Sequence, residues 1–297
     1  MGSEQIARKQ GIVEAWAKVN LGLWVGPRHA NGLHPVRSVM QTVCLGDILQ
    51  IQAIEGEPSA VVWETSHPQL QWTPQNIVFR TVQWLRQHRR LPRLRITLTK
   101  RIPLGAGLAG GSADAAAVVR WVLNQQQYQG PDWLQTVSDL GQDIPFLLVG
   151  GTADVSGYGA IVRPLPPLKE GAVVLTNPGF EVSTAAVYAA FDQLQHPNPS
   201  LTDWDFEALI ATVASGHVPT ELPNSLENAA FAVAPPLRAF RERLQSVAIG
   251  SRWYLSGSGA TYYTVGPDRE WAEWLAERLR LNGIPWVEVA RWRTPYS

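Results

Sequence analysis

The chain of 297 residues is long enough for one large domain or two ordinary ones, and its 45% hydrophobic content is ample for packed cores. The 25 Lys and Arg residues balance the 25 Asp and Glu residues, and no long run of like charge occurs. This pattern excludes the electrostatic footprint of a nucleic-acid binder or a membrane-surface binder. We therefore expect a small-molecule partner, no nucleic acid and no membrane.

Cys44 is the single cysteine, so no internal disulfide can form and a reducing compartment is expected. Near the N-terminus, Glu14, Lys18 and Asn20 interrupt the apolar residues, and no segment reaches the roughly 18 apolar residues of a membrane span. These features predict a cytoplasmic protein. We expect a monomer or a homodimer.

The first third of the chain predicts strands at 12–25, 47–54 and 94–102, because apolar and polar residues alternate there. Residues 74–89 instead have the spacing of an amphipathic helix, with Thr73 as the predicted N-cap. A mainly β region followed by helices is therefore expected at the start of the chain.

Residues 112–127 are rich in alanine and contain no proline, which predicts a largely buried helix. Residues 132–159 have the pattern of a helix, a tight turn, an apolar segment and a hairpin. The proline cluster at 164–167 marks a shift in composition, and we predict a domain boundary there. The predicted domains are residues 1–166 and 167–297.

The second predicted domain alternates strands with helices, which favours a small α+β sandwich. The predicted strands are 172–179, 253–265 and 285–292, and the predicted helices are 183–194, 204–214, 227–244 (broken by Pro235 and Pro236) and 269–283. Asn224 or Ser225 is the predicted cap of the helix that begins near Glu227.

A glycine-rich segment, PLGAGLAGGS at residues 103–112, matches two phosphate-binding patterns at once. Gly105, Gly107 and Gly110 have the spacing of a dinucleotide fingerprint, and the segment also resembles a Walker A loop in which Gly111 replaces the lysine. Both patterns bring backbone N–H groups and a helix N-terminus close to phosphate oxygens. A phosphate ligand is therefore predicted, and the residues leave its identity open.

Each of the two patterns lacks one of its chemical parts. A dinucleotide fold needs an acidic residue at the end of a strand about 20 residues later. Asp132 is near that distance, but no predicted strand precedes it. In a Walker A loop the lysine reaches the terminal phosphates. Another lysine would have to supply that charge here.

Lys18 is the candidate, because it alone among the four lysines lies inside an apolar strand. Burying an unpaired charge is costly, and Asp143, in a tight turn before an apolar segment, is a candidate partner. The alternative interpretations are a lysine at a strand edge that reaches solvent and a structural cap at Asp143.

Four segments have the order and approximate spacing of the GHMP kinases: EAWAKVNLGLWV, PLGAGLAGGSADAAA, LGQDIPFLLVGGTA and LSGSGATYY. With GPRHANGLHPVRSVMQTV, the first two resemble the branch of that family that acts on a cytidylyl-linked methylerythritol in the non-mevalonate isoprenoid pathway. The resemblance implies an α+β, two-domain GHMP kinase architecture. Its parts are an N-terminal nucleotide-binding α+β domain and a C-terminal ferredoxin-like α+β domain, with the active site in the cleft between them.

The resemblance also implies ATP-dependent phosphorylation of the substrate's 2-hydroxyl, with Asp143 as the base and Lys18 as its electrostatic partner. ATP-binding residues implied by the resemblance are Pro103, Leu104, Gly105, Ala106, Gly107, Leu108, Ala109, Gly110, Gly111 and Ser112. Ser112 would also face Mg²⁺. Substrate-binding residues implied by the resemblance are Asn20, His34, Thr184 and Tyr188. His34 would read the cytosine edge, and Tyr188 would stack on the ring.

One residue departs from the family pattern where the base would bind. The family usually has a tyrosine that stacks on the base, and this chain has Leu33 there. The substitution favours the alternative that the chain is a homoserine or mevalonate kinase-like member of the same family. A catalytically inactive binding protein and an NAD-dependent oxidoreductase are the further alternatives. A second glycine segment, GSGA at 257–260, has two interpretations, a second phosphate contact and a strand-flanking turn that packs against the first segment, and we predict the turn.

Overall fold

The computed structural model describes residues 10–88, 90–126, 136–169, 171–194 and 205–296. The chain divides into two compact units, and each unit is built from several stretches of sequence. Unit 1 contains Met1–Ala17, Leu45–Pro103 and Ala109–Leu148, and unit 2 contains Lys18–Cys44, Leu104–Leu108 and Val149–Ser297. The domain boundary at residues 166 and 167 stays a prediction. Within the described ranges, no helix combines the length and the apolar character needed to cross a bilayer.

Strands and helices both occur throughout the described ranges, in runs of one to four elements. The strands are β1 (Gln10–Val25), β2 (Val36–Ile54), β3 (Val61–Thr65), β4 (Arg93–Thr99), β5 (Thr152–Gly157), β6 (Ile161–Leu165), β7 (Ala172–Asn177), β8 (Tyr254–Leu255), β9 (Tyr262–Gly266) and β10 (Trp286–Arg291). The helices are α1 (Ile77–His88), α2 (Gly110–Gln126), α3 (Ile144–Val149), α4 (Thr184–Gln193), α5 (Phe206–Ala214), α6 (Glu227–Val233), α7 (Pro236–Val247) and α8 (Arg269–Leu281).

In unit 1, β4 joins two neighbouring strands. It pairs antiparallel with the second half of β2 and parallel with β3. Along β4, Leu94, Ile96 and Leu98 are buried while the residues between them are more exposed. The alternation that predicted this strand therefore reflects a core on one side of the sheet.

The two longer helices of unit 1 pack against each other. In α2, Ala115, Ala116 and Ala117 are fully buried, which confirms the predicted buried alanine-rich helix. The predicted N-cap of α1 is wrong: Asn76 Oδ1, not Thr73, accepts a hydrogen bond from the N–H of Val78 at 2.8 Å. Asn76 directly precedes the helix, where a short polar side chain reaches the free N–H groups of the first turn.

Unit 2 contains a hairpin at residues 152–165, which begins within the predicted range of 132–159 and ends beyond it. The first half of β2 pairs antiparallel with β5, and β5 pairs antiparallel with β6. The apolar segment before the hairpin forms the short helix α3. The residues of this helix up to Leu148 belong to unit 1. The start of the helix predicted in this region falls on residues 127–135, which lie outside the described residues.

Unit 2 also contains a four-stranded antiparallel sheet with the order β10-β7-β9-β8. Along the chain, its strands and the helices between them follow the β-α-β-β-α-β succession of a ferredoxin-like fold, with several helices in the first connection. This confirms the fold predicted for the C-terminal half. The helices pack on the sheet through a core that includes Val174, Tyr262, Leu237 and Leu275, each at most 1% exposed.

The single strand predicted at residues 253–265 is wrong. The structure has two short strands, β8 and β9, separated by a turn at 256–261. Gly257 and Gly259 have φ values of +56° and +88°, a backbone conformation that ends the extended chain. The apolar residues around the glycines belong to both strands, so composition alone does not reveal the interruption.

Candidate active site

In unit 2, alternate residues of β1 form a buried polar row. Lys18 Nζ donates a hydrogen bond to Asn20 Oδ1 at 2.7 Å, and Asn20 Nδ2 donates to Ser38 Oγ at 2.8 Å. Ser38 Oγ in turn donates to the carbonyl oxygen of Gly22 at 2.7 Å. Lys18 and Asn20 are 4% and 3% exposed. The two side chains share one face of the strand, as their spacing predicted, and the row fixes the position of the buried ammonium group.

The backbone of Lys18 also contacts the part of the glycine-rich segment that belongs to unit 2, residues 104–108, called here the first glycine turn. The N–H of Lys18 donates to the carbonyl oxygen of Leu108 at 3.2 Å. Gly105 and Gly107 in this turn have φ values of +55° and +74°. Their conformation is the one that favours glycine, which explains the glycine spacing in the sequence.

A second glycine turn, residues 256–261, packs directly against the first. The N–H of Thr261 donates to the carbonyl oxygen of Ala106 at 3.1 Å, and Ser256 Oγ donates to that of Gly107 at 3.0 Å. A Cβ on Gly107 would overlap the carbonyl oxygen of Ser256. The predicted packing of the two glycine segments is therefore confirmed.

The second glycine turn also lies beside the Lys18 ammonium group. A Cβ placed on Gly257 would come within 3.5 Å of Lys18 Nζ. Asn224 Nδ2 holds the turn by donating to the carbonyl oxygens of Leu255 and Gly257 at 2.9 and 2.8 Å. The cap predicted at Asn224 or Ser225 is wrong, because Leu226 occupies the N-cap position of α6. Asn224 instead positions a turn next to a buried cation.

Thr184, a predicted substrate-binding residue, is the first residue of α4. Its Oγ1 lies 2.8 Å from Oγ of Ser258 in the second glycine turn. Ser183 caps the helix by accepting a hydrogen bond from the N–H of Ala186. The start of α4 is thus tied to the same glycine turns as Lys18.

His34 and Tyr188, both predicted to contact a base, lie together in unit 2. Their ring centroids are 5.2 Å apart, with 48° between the ring planes. His34 is 7% exposed, and its Nδ1 lies 2.9 Å from the carbonyl oxygen of Gly26. Its Nε2 lies 3.3 Å from Oδ1 of Asp192. Sequence reasoning missed Asp192, although its position four residues after Tyr188 puts it on the same helix face.

In unit 1, Asp143 is half-buried and directly precedes α3. Its carbonyl oxygen accepts a hydrogen bond from the N–H of Leu147 at 3.0 Å, so the residue begins the helix. Because Lys18 belongs to unit 2, the pairing of Lys18 with Asp143 stays a prediction.

The remainder of the glycine-rich segment lies at the start of α2 in unit 1. Ala109 has a φ of +56°, and Gly110 begins the helix. Ser112, predicted to open the helix, is in its first turn, and none of the residues of this turn is acidic. A helix N-terminus favours an anion, which fits a triphosphate.

Lys18 lies inside strand β1 as predicted, and Lys100, directly after β4 in unit 1, is a second buried lysine that sequence reasoning missed. The Lys100 side chain is 4% exposed, and its Nζ lies 2.5 Å from Asp47 Oδ2 and 2.8 Å from Asp114 Oδ2. Asp47 Oδ1 also accepts hydrogen bonds from the N–H groups of Arg101 and Ile102. An acidic residue within the alanine-rich α2 was the sequence signal for this buried cluster, in which Lys100, directly after β4, joins Asp47 of β2 to Asp114 of α2.

Burial, together with the nearby charge of Asp47, raises the pKa of Asp114 from 3.8 to about 8, although Lys100 opposes the shift. The folded chain therefore retains a proton that the unfolded chain loses near pH 4. Stability from this group is present at low pH and is lost as the pH rises toward 8, at up to about 1.4 kcal/mol per pH unit. We expect this slope in wild-type protein and its absence in Asp114→Asn.

Urea unfolding of the wild-type protein and Asp114→Asn between pH 5 and pH 9 measures that slope. The free energy of unfolding of the wild type should fall relative to that of the variant as the pH rises. Parallel pH profiles for the two proteins would contradict the raised pKa of Asp114.

Comparisons with known proteins find relatives over most of the chain. The family model described as the GHMP kinases N terminal domain matches residues 76–156. The chain is 35% identical over 272 residues to a 4-diphosphocytidyl-2-C-methyl-D-erythritol kinase of Moorella thermoacetica, with 90% of this chain and 93% of that protein covered. A crystal structure of a 4-(cytidine 5'-diphospho)-2C-methyl-D-erythritol kinase is 33% identical, with a TM-score of 0.72 over 94% of this chain and 99% of that chain.

A homoserine kinase from Cytophaga hutchinsonii shares the fold more distantly. It is 18% identical, with a TM-score of 0.70 over 97% of this chain and 96% of that chain. At this identity the likeness concerns the fold alone. The comparisons therefore agree with the two-domain α+β architecture of a GHMP kinase.

Proposed function

Because the chain belongs to the 4-diphosphocytidyl-2-C-methyl-D-erythritol kinases, within the GHMP kinases, we propose that it phosphorylates the 2-hydroxyl of 4-diphosphocytidyl-2-C-methyl-D-erythritol. The chain is an ATP-dependent small-molecule kinase, and ATP is its phosphoryl donor. The reaction would supply the non-mevalonate isoprenoid pathway. The observation that carries the proposal is the buried Lys18 ammonium group beside two packed glycine turns.

This arrangement suits an anion for electrostatic reasons. A buried cation is stabilised by a nearby negative charge, and a glycine turn lets backbone N–H groups approach phosphate oxygens. Lys18 would thus neutralise negative charge on the transferring phosphoryl group. This stabilisation would be greatest in the transition state, where charge is redistributed over the phosphoryl oxygens. The glycine-rich segment at 103–112 would bind the triphosphate. Ser112 lies in the first turn of α2, and its hydroxyl oxygen is the proposed ligand of Mg²⁺. The bound ion would neutralise charge on the phosphates.

In the proposed reaction, the substrate 2-hydroxyl oxygen forms a bond to the γ-phosphorus of ATP. The bond from that phosphorus to the β,γ-bridging oxygen breaks, and ADP leaves. The hydroxyl proton passes to the Asp143 carboxylate, which acts as the general base. Lys18 is its proposed electrostatic partner, since a nearby ammonium group favours the charged form of a carboxylate.

The substrate-side residues all belong to unit 2. Asn20 would bind the polyol or phosphate oxygens, and its amide is already oriented by Lys18 and Ser38. Thr184 would contact the substrate near the second glycine turn. His34 and Tyr188 would form the cytosine end of the site.

A coupled ADP-release assay with three acceptors tests the proposed function. We expect turnover with 4-diphosphocytidyl-2-C-methyl-D-erythritol and no ADP release above background with homoserine or mevalonate. Leu33 in place of the usual tyrosine is the observation that favours a homoserine or mevalonate kinase-like protein. Preferential turnover of either of those acceptors would therefore replace the proposed substrate.

A further inference from the structure

Asp192 is a carboxylate beside His34 and Tyr188, the residues proposed to bind cytosine, and the proposed mechanism does not use it. It lies on α4, four residues after Tyr188, so the two side chains share one helix face. The Asp192 side chain is 32% exposed, whereas the neighbouring His34 side chain is only 6% exposed. The acid is therefore more accessible to a ligand than the histidine.

Both ring nitrogens of His34 already have protein neighbours. A carbonyl oxygen only accepts hydrogen bonds, so Nδ1 donates to Gly26. Nε2 faces Asp192 Oδ1 at 3.3 Å. The imidazole edge is thus directed at Gly26 and Asp192, and neither ring nitrogen faces open space.

The second carboxylate oxygen, Asp192 Oδ2, lies 3.9 Å from Nη1 of Arg28, which is beyond hydrogen-bond distance. Arg28 is itself held by donation from Nε to the carbonyl oxygen of Gly32 at 3.0 Å. The guanidinium group lies beside the carboxylate without taking up its lone pairs. Oδ2 can therefore accept a hydrogen bond from a ligand.

An aromatic ring, a carboxylate and a guanidinium group together suit a planar base that carries an amino group. A base can stack on Tyr188, while the carboxylate accepts from an exocyclic amine. Cytosine presents such an amine at N4, whereas uracil presents an acceptor oxygen at the equivalent position. A carboxylate attracts the amine of cytosine and repels the oxygen of uracil.

We propose that Asp192 accepts a hydrogen bond from the exocyclic amine of the substrate base and thereby selects cytosine over uracil. This inference rests on the proposed function, because it places the cytidylyl group against Tyr188. Asp192 is then a specificity residue for the substrate base.

Equilibrium binding of CDP and UDP, measured by calorimetry with the ATP site filled by a non-hydrolysable ATP analogue, tests this selection without requiring turnover. Wild-type protein should bind CDP at least about tenfold more tightly than UDP, the scale of one good base contact. In Asp192→Asn that preference should fall below about threefold, because the neutral amide can donate to the uracil oxygen. UDP affinity should be unchanged or higher.

The control variant is Glu273→Gln on α8, an equally conservative change in an exposed acid whose partner is Arg269. It should retain the wild-type preference for CDP. An equal loss of affinity for both nucleotides in Asp192→Asn, or an unchanged preference, would overturn the role of Asp192. Failure of the proposed function would appear as absent turnover in the ADP-release assay. Failure of the role of Asp192 would appear only in the binding of CDP and UDP, so the two failures are distinguishable.

Discussion

Replacing Asp143 with asparagine is expected to lower turnover at least about a hundredfold, the usual scale for a positioned base, and to leave ATP binding nearly unchanged. Asparagine has the same shape as aspartate but cannot accept the substrate proton. The half-buried position of Asp143 at the start of α3 tolerates this change, because the helix is held there by its backbone carbonyl. Single-turnover phosphoryl transfer and ATP titration measure the two quantities.

Asp139→Asn is the matched control, because Asp139 is an exposed acid in the same segment. We expect this variant to retain turnover within about threefold of the wild type, because the mechanism needs the carboxylate of Asp143 and not negative charge in the segment as a whole. Unchanged turnover in Asp143→Asn would remove Asp143 from the mechanism. A large loss in both variants would instead indicate a general electrostatic effect of the segment.

The predicted cooperation of Lys18 with Asp143 has its own test. Groups that act as a unit give strongly non-additive losses when both are removed. We expect Lys18→Met to reduce turnover severely and the double variant with Asp143→Asn to be little worse than the more impaired single variant. Multiplicative losses would show that the two side chains act independently.

The sequence predicts the regular parts of the fold because their patterns are local. The alternation in β4 and the alanine content of α2 each follow from burial of one strand face or one helix. The strand at 253–265 was predicted as continuous, although GSGA was interpreted as a turn, because two glycines in left-handed conformation interrupt an apolar segment without changing its composition. Such a break is set by packing against another turn, which is a non-local contact.

The site divides in the same way. The shared face of Lys18 and Asn20 follows from a spacing of two residues in a strand. The burial of Lys100 does not, because its partners Asp47 and Asp114 come from distant positions in the sequence. Asp192 was missed for the same reason, since its contact with His34 joins a helix to a loop more than 150 residues earlier.

Replacing Gly107 with alanine is expected to cost about 2 to 5 kcal/mol of stability and to reduce turnover at least about a hundredfold. The φ of +74° alone disfavours any side chain by about 1 to 2 kcal/mol. In addition, the new Cβ would overlap the carbonyl oxygen of Ser256 and lie 2.9 Å from that of Gly259. Since both contacts are with backbone, relief requires the two glycine turns to separate, at an overpacking cost of about 1 to 3 kcal/mol.

Gly250→Ala separates backbone strain from this overlap. Gly250 has a φ of +87°, and no atom lies within 4 Å of where its Cβ would be. We expect this variant to lose about 1 to 2 kcal/mol of stability and to retain turnover. Separation of the turns by even about 1 Å in Gly107→Ala would displace groups beside Lys18, and displacements of that size can cost a hundredfold in rate. Thermal unfolding and turnover are measured on both variants. Equal losses of stability and of turnover in the two variants would contradict the idea that contact between the turns positions Lys18.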